Sequence, residues 1–211
     1  MNLSFLQIFT LISIIHSFLL GVVVLSSKLL RSKANFYLGI SLVILAIVGL
    51  NNWFWDIGKN PFLVRFFDLF LWQFLYPTTL FKYFLLVTKG TSLKNSFRWF
   101  YAPFIVLSLF NIIVTFHNIY GWVNISLLTE ETIHIFYKII SFLSIIYSLS
   151  LLLVSFGMIF LKKTKAHFLW VKIFWGLFFF IDSYGALLEL GRFYTNERKS
   201  HTYLWVAFSV V

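Results

Sequence analysis

Long apolar runs separated by short polar breaks set the plan of this chain. The runs cover 3–25, 36–52, 62–87, 99–116, 133–161 and 168–190, and a seventh begins at 202 and reaches 211. An α-helix needs about 17–25 predominantly apolar residues to cross a bilayer, and the first six runs meet that length. The pattern predicts an all-α polytopic membrane helix bundle. It has six complete spans plus a truncated seventh, and a single transmembrane domain over 1–211. The run at 202–211 is half of what a crossing needs, and bare helix-end carbonyls are costly in hydrocarbon. The expectation is therefore a chain cut inside span seven. Thr129-Glu130-Glu131-Thr132 reads as a helix start, because acids favour the positive end of the helix dipole.

Charge gives the runs a direction. Alternate breaks carry Lys28, Arg31 and Lys33, then Lys89, Lys94 and Arg98, then Lys162, Lys163 and Lys165. The other breaks carry Asp56 with Lys59, Glu130 with Glu131, and Glu197 with Arg198 and Lys199. Basic loops next to spans stay in the cytoplasm. The expected topology is N-terminus out and C-terminus in, and the expected location is a membrane that the chain crosses several times. Trp53, Phe54 and Trp55 fit an interfacial aromatic belt.

Composition agrees with a membrane solvent. The chain is 60% hydrophobic and 11% charged, with mean hydropathy +0.89, whereas soluble domains carry about 25% charged residues. The net charge of +10 suggests nucleic acid at first sight, but its clustering beside the spans points to topology and anionic headgroups. There is no cysteine, which excludes disulfides and thiolate chemistry. No metal-spaced pair occurs among His16, His117, His134, His167 and His201, and no phosphate-cradling loop or nucleophile grouping is visible. No enzyme and no cofactor are expected. Asn124-Ile125-Ser126 matches a glycosylation sequon too short to carry weight.

Ionisable groups inside spans are the candidates for function. Asp182 lies near the middle of span six. Glu189 is seven residues on, on a similar face, with Arg192 beyond it. These three could line an outward-facing pocket. The alternative for Asp182 is interhelical hydrogen bonding, with His16 or Gln73 as partners; for Glu189 and Arg192 it is an interfacial ion pair. Arg65 and Asp68, three apart on span three, form a second polar pair that faces a signal or simply bridges at the span edge. Lys82, about 25 Å along a helix from Arg65, should snorkel to the inner headgroups. Pro77 should kink span three and free a carbonyl that Thr78 or Thr79 could take.

The chain also resembles a family. The carriers are Lys33-Ala34-Asn35-Phe36-Tyr37-Leu38-Gly39, Leu75-Tyr76-Pro77-Thr78-Thr79-Leu80-Phe81-Lys82-Tyr83-Phe84, Arg98-Trp99-Phe100-Tyr101-Ala102-Pro103-Phe104, and Tyr203-Leu204-Trp205-Val206-Ala207-Phe208-Ser209. In order and topology these look like the N-terminal seven-span region of bacterial membrane-bound AraC-type transcriptional regulators. The resemblance implies a membrane sensor or anchor followed by a cytoplasmic domain with two helix-turn-helix motifs. None is present here, so DNA would be a partner only through a C-terminal domain beyond this chain. The lipid bilayer is the expected partner, a homodimer of bundles is a further candidate, and the signal ligand is unknown. The rival expectation is a small polytopic transporter or channel, although no internal repeat is visible.

Overall fold

The structure, a computed structural model, describes residues 4–57, 67–89, 96–160 and 169–195. Among these there are six α-helices and no strand: α1 (Phe5–Ser26), α2 (Lys33–Asp56), α3 (Trp72–Lys89), α4 (Ala102–Asn118), α5 (Glu130–Phe160) and α6 (Leu169–Thr195). A 3-10 turn, Ser96–Tyr101, leads into α4. Five stretches are long and apolar enough to cross a membrane: Gln7–Ser26, Lys33–Phe54, Phe97–Asn118, Glu130–Phe160 and Leu169–Leu187.

The exception, α3, is the centre of the bundle. It packs against α2 on one side and α5 on the other. Phe74, Leu80, Tyr83 and Phe84 on it are almost fully buried, as are Thr78 and Thr79. A helix enclosed by protein has no need of lipid-compatible side chains all round, because its polar groups pair with neighbours. The outer helices show the reverse. α1 exposes Ile8, Ile12, Ile15 and Leu19, and α4 exposes Ile105, Leu109 and Ile113, which is the surface a hydrocarbon solvent wants.

Successive helices run in opposite directions, so the bundle has two ends. α1 starts with a capping box, in which Gln7 N–H donates to Ser4 Oγ and Ser4 N–H to Gln7 Oε1. The α1–α2 hairpin is closed at that first end by Trp53 Nε1, which donates to the Gln7 carbonyl at 2.8 Å. Nearer the turn, Gly21 and Gly39 face each other. A Cβ on Gly39 would lie 2.6 Å from Leu25 Cγ and 3.1 Å from the Gly21 carbonyl oxygen. Only glycines let the two backbones approach so closely. At the second end, exposed Lys28, Arg31, Lys33 and Arg98 gather. Exposed Glu130 and Glu131 open α5 at the first end, where Thr129 Oγ1 accepts from Thr132 N–H.

Several expectations need correction. The run at 62–87 is not one helix: the backbone leaves the helical path at 69–71, where turn bonds join Phe70 N–H to the Phe67 carbonyl and Trp72 N–H to the Phe70 carbonyl. Trp53 does not face outward from the bundle. It is 7% exposed and belongs to the core with Tyr76, Tyr83 and Phe178. Thr78 and Thr79 donate to the carbonyls of Phe74, Leu75 and Tyr76, not to that of Gln73, the one Pro77 frees. Lys82 is not among these corrections: it is half-buried, with Nζ 3.9 Å from the ring centroid of Phe97 beside Arg98, so its charge lies on an aromatic face toward the basic end. The run at 202–211 and the bases Lys94, Lys162, Lys163 and Lys165 lie outside the described residues; Lys89 ends α3.

Candidate functional site

A cavity of about 630 Å³ opens inside the bundle, within the range of small-molecule sites. Its wall comes from the last turns of α2, the break before α3, the first turns of α3, the end of α4, the first half of α5 and the middle of α6. The wall is mixed and apolar over most of its area, but it carries many polar side chains for a membrane bundle: Asn51, Asn52, Asp68, Gln73, Asn111, Thr115, Asn118, His134, Ser141, Ser144, Ser148 and Asp182 lie among Val48, Trp72, Tyr76, Tyr137, Ile140 and Ile181. Such a lining inside helices that otherwise show hydrocarbon to the outside is the feature that needs explaining.

Asp182 forms its floor. Tyr76 Oη and Ser148 Oγ donate to its two carboxylate oxygens, so one carboxylate ties α3, α5 and α6 together. The partners are not His16, which is exposed, or Gln73. Two hydroxyls meet half of the roughly four acceptor positions a carboxylate offers. Just beyond, Thr78 Oγ1 lies 2.8 Å from Tyr147 Oη, and both bond the Phe100 carbonyl in the 3-10 turn.

Asp68 reaches the same cavity from the break before α3. It accepts from Asn51 Nδ2, while Asn111 Nδ2 donates to the carbonyls of Asp68 and Leu69 at 2.7 and 3.1 Å. Leu71 N–H donates to Ser108 Oγ at 3.0 Å. Side chains on α4 thus satisfy a backbone that has left the helix, as non-helical backbone at membrane depth requires. Arg65 lies outside the described residues, so its pairing with Asp68 does too. Glu189 and Arg192 sit in the last turns of α6; their side chains are outside the description.

No family model matches the chain, no curated protein matches it, and no solved structure matches it. The chemistry must be read from the site itself.

Sequence reasoning found Asp182 and Asp68 but not that they share one cavity. It also missed Tyr76, Ser148, Asn51 and Asn111. A signal existed in α5: Ser141, Ser144, Ser148 and Ser155 recur at three-, four- and seven-residue steps, one helix face in an otherwise apolar span. Ser155 continues that face toward the second end, where Trp175 Nε1 donates to its hydroxyl at 2.8 Å. No group of three or more metal-ligating side chains occurs among the described residues. His117 is structural. Its Nε2 lies 2.9 Å from the Leu128 carbonyl, and its Nδ1 lies 3.0 Å from the Val123 carbonyl and 3.2 Å from the Ile125 nitrogen, so the ring ties down the loop after α4.

Proposed function

We propose that this bundle is the membrane-embedded sensor region of a transcriptional regulator of the AraC type. Its N-terminus would face outward in a bacterial cytoplasmic membrane, and its output domain would lie beyond this chain. The observation that carries the sensing role is the cavity floored by Asp182. Burying this many hydrogen-bonding groups in a bilayer costs stability, and a bundle that only anchored would do better with apolar packing. The regulator part rests on the family resemblance and on the basic end of the bundle, which would face the cytoplasm.

Signal transfer needs a ligand that binds two bundle states unequally. Asp182 supplies the means, since a ligand that draws on its carboxylate competes with Tyr76 and Ser148 for the same oxygens. Loosening those bonds shifts α3 and α6 against α5. The Thr78–Tyr147 pair, two residues after Tyr76 and one before Ser148, bonds the Phe100 carbonyl close to Arg98 at the basic end.

A small transporter is the second reading, favoured by the same buried carboxylate. Against it stands the packing below the cavity, where Tyr83, Phe84, Val171 and Phe178 are 0–1% exposed and close the bundle among the described residues. The reading frame after the Val211 codon tests the choice. Paired helix-turn-helix patterns in it support the regulator, and reporter output should then change with Asp182→Asn. A frame without them, together with solute uptake by proteoliposomes, favours transport.

A further inference from the structure

Lys82 stands on α3 about 10 Å short of the helix end at Lys89, half-buried and with Nζ over the Phe97 ring. Among the described residues no carboxylate belongs to its half of the bundle. Asp56 ends α2, Glu130 and Glu131 open α5, and Glu189 lies in the last turns of α6, all toward the first end. Asp68 and Asp182 are on the cavity wall. A partly buried charge needs a counter-ion, and an aromatic face offsets only part of the lost hydration.

Two tyrosines converge on the same place. Ser41 Oγ donates to Thr79 Oγ1 at 2.8 Å, which fixes the register of α2 against α3. Tyr37 is one turn before Ser41, and Lys82 is about one turn after Thr79. The two helices are antiparallel, so both residues fall at the next level toward the second end. From the other side, the Tyr101 ring lies T-shaped to that of Phe97 at 5.6 Å between centroids. The Tyr101 hydroxyl is within electrostatic range of that of Tyr37. Exposed Lys33, one turn before Tyr37, and exposed Arg98, next to Phe97, bring two more positive charges to the rim. Phe36 and Trp99, the chain neighbours of Tyr37 and Arg98, turn large apolar rings outward.

We propose that this cleft, between the start of α2, the second half of α3 and the 3-10 turn, binds an anionic phospholipid with its phosphate at Lys82. The phosphate supplies the missing counter-charge and accepts from the ammonium and the tyrosine hydroxyls. A headgroup with its own ammonium would set a fourth positive charge among three, so a lipid of net negative charge is favoured. The outward rings of Phe36 and Trp99 give the acyl chains an apolar surface, which free phosphate could not use. The lipid would tie α2, α3 and the entry to α4 together at the basic end, independently of what the cavity does.

The test is lipid retention by the purified 211-residue chain in detergent, read by native mass spectrometry. The protein is exposed to equal amounts of phosphatidylglycerol and phosphatidylcholine with the same acyl chains. Phosphatidylglycerol should be retained in at least about tenfold preference. Lys82→Gln should cut that preference about fivefold, the scale of one basic residue beside an anionic headgroup. Lys172 is the matched control, a cation near the start of α6 with Nζ 5.6 Å from the Phe160 ring centroid. Lys172→Gln should change the preference less than about twofold. Should Lys82→Gln not fold, the exposed Arg98→Gln takes its place and should lower the preference by a similar factor; no effect of it overturns the site. Equal retention of the two lipids also overturns it. So do equal effects of Lys82→Gln and Lys172→Gln, which would show attraction spread over the whole basic end. Excess inorganic phosphate should leave the lipid bound; release by phosphate would show a site for the free anion and overturn the lipid assignment.

Discussion

Two tyrosines seven residues apart on α3 have opposite consequences. Tyr76 donates to Asp182, whereas Tyr83, fully buried, has a hydroxyl with no hydrogen-bond partner among the described residues. Removing a used donor leaves a carboxylate short of a partner, while removing an unused one relieves a desolvation cost. Tyr76→Phe should therefore destabilise the bundle by about 1–2 kcal/mol. Tyr83→Phe should be neutral or stabilising by up to about 1 kcal/mol. Thermal unfolding of both variants in one detergent checks the pair, and a loss for Tyr83→Phe comparable to that for Tyr76→Phe would show that Tyr83 has a partner after all. Neither residue was singled out in the sequence, because a tyrosine in an apolar span gives no sign of what its hydroxyl meets. Asp182 was legible because a charge in mid-span must be accommodated somehow; its partners were not, since they come from other helices.

At the level of elements, periodic apolarity was enough to locate most helices. It failed where the solvent is protein. Residues 62–87 read as one span, yet the backbone breaks at 69–71, because Ser108 and Asn111 on α4 can serve groups that lipid could not. Nothing local in Phe-Asp-Leu-Phe-Leu announces a break that a distant helix makes affordable. The α1–α2 hairpin shows another limit: Gly21 and Gly39 looked ordinary until brought face to face. Gly39→Val should push the helices apart, because its first carbon already meets Leu25 and the Gly21 carbonyl within van der Waals distance. Overpacking of this kind costs about 1–3 kcal/mol, measurable as earlier unfolding. Val at Gly176, where an added carbon meets nothing within 4 Å, is the matched control and should cost less.

For the whole molecule the decisive matter is which end faces which compartment. The chain has no cysteine of its own, so single cysteines report cleanly. Glu131→Cys at the first end should react with a membrane-impermeant maleimide on intact cells. Lys33→Cys and Arg98→Cys at the second end should react only after lysis. Reversed labelling would turn the bundle over and place the cavity mouth on the cytoplasmic side. Membrane class and helical architecture were both legible at this scale, since they follow from composition and period alone. The cavity was not, because it arises from six elements meeting.

The depth of Asp182 has an electrical consequence. It lies at the midpoint of α6 (Leu169–Thr195), with dense packing beyond it, so the cavity is a cup reaching about halfway through the bundle. Moving a unit charge across the full membrane is worth about 2.3 kcal/mol per 100 mV. Any unit charge taken from the mouth down to Asp182 would cross roughly half that field, about 1 kcal/mol. With the mouth outward and the cell interior negative, an energised membrane would favour positive charge in the cup and disfavour negative charge by that amount, and collapse of the potential would remove the bias.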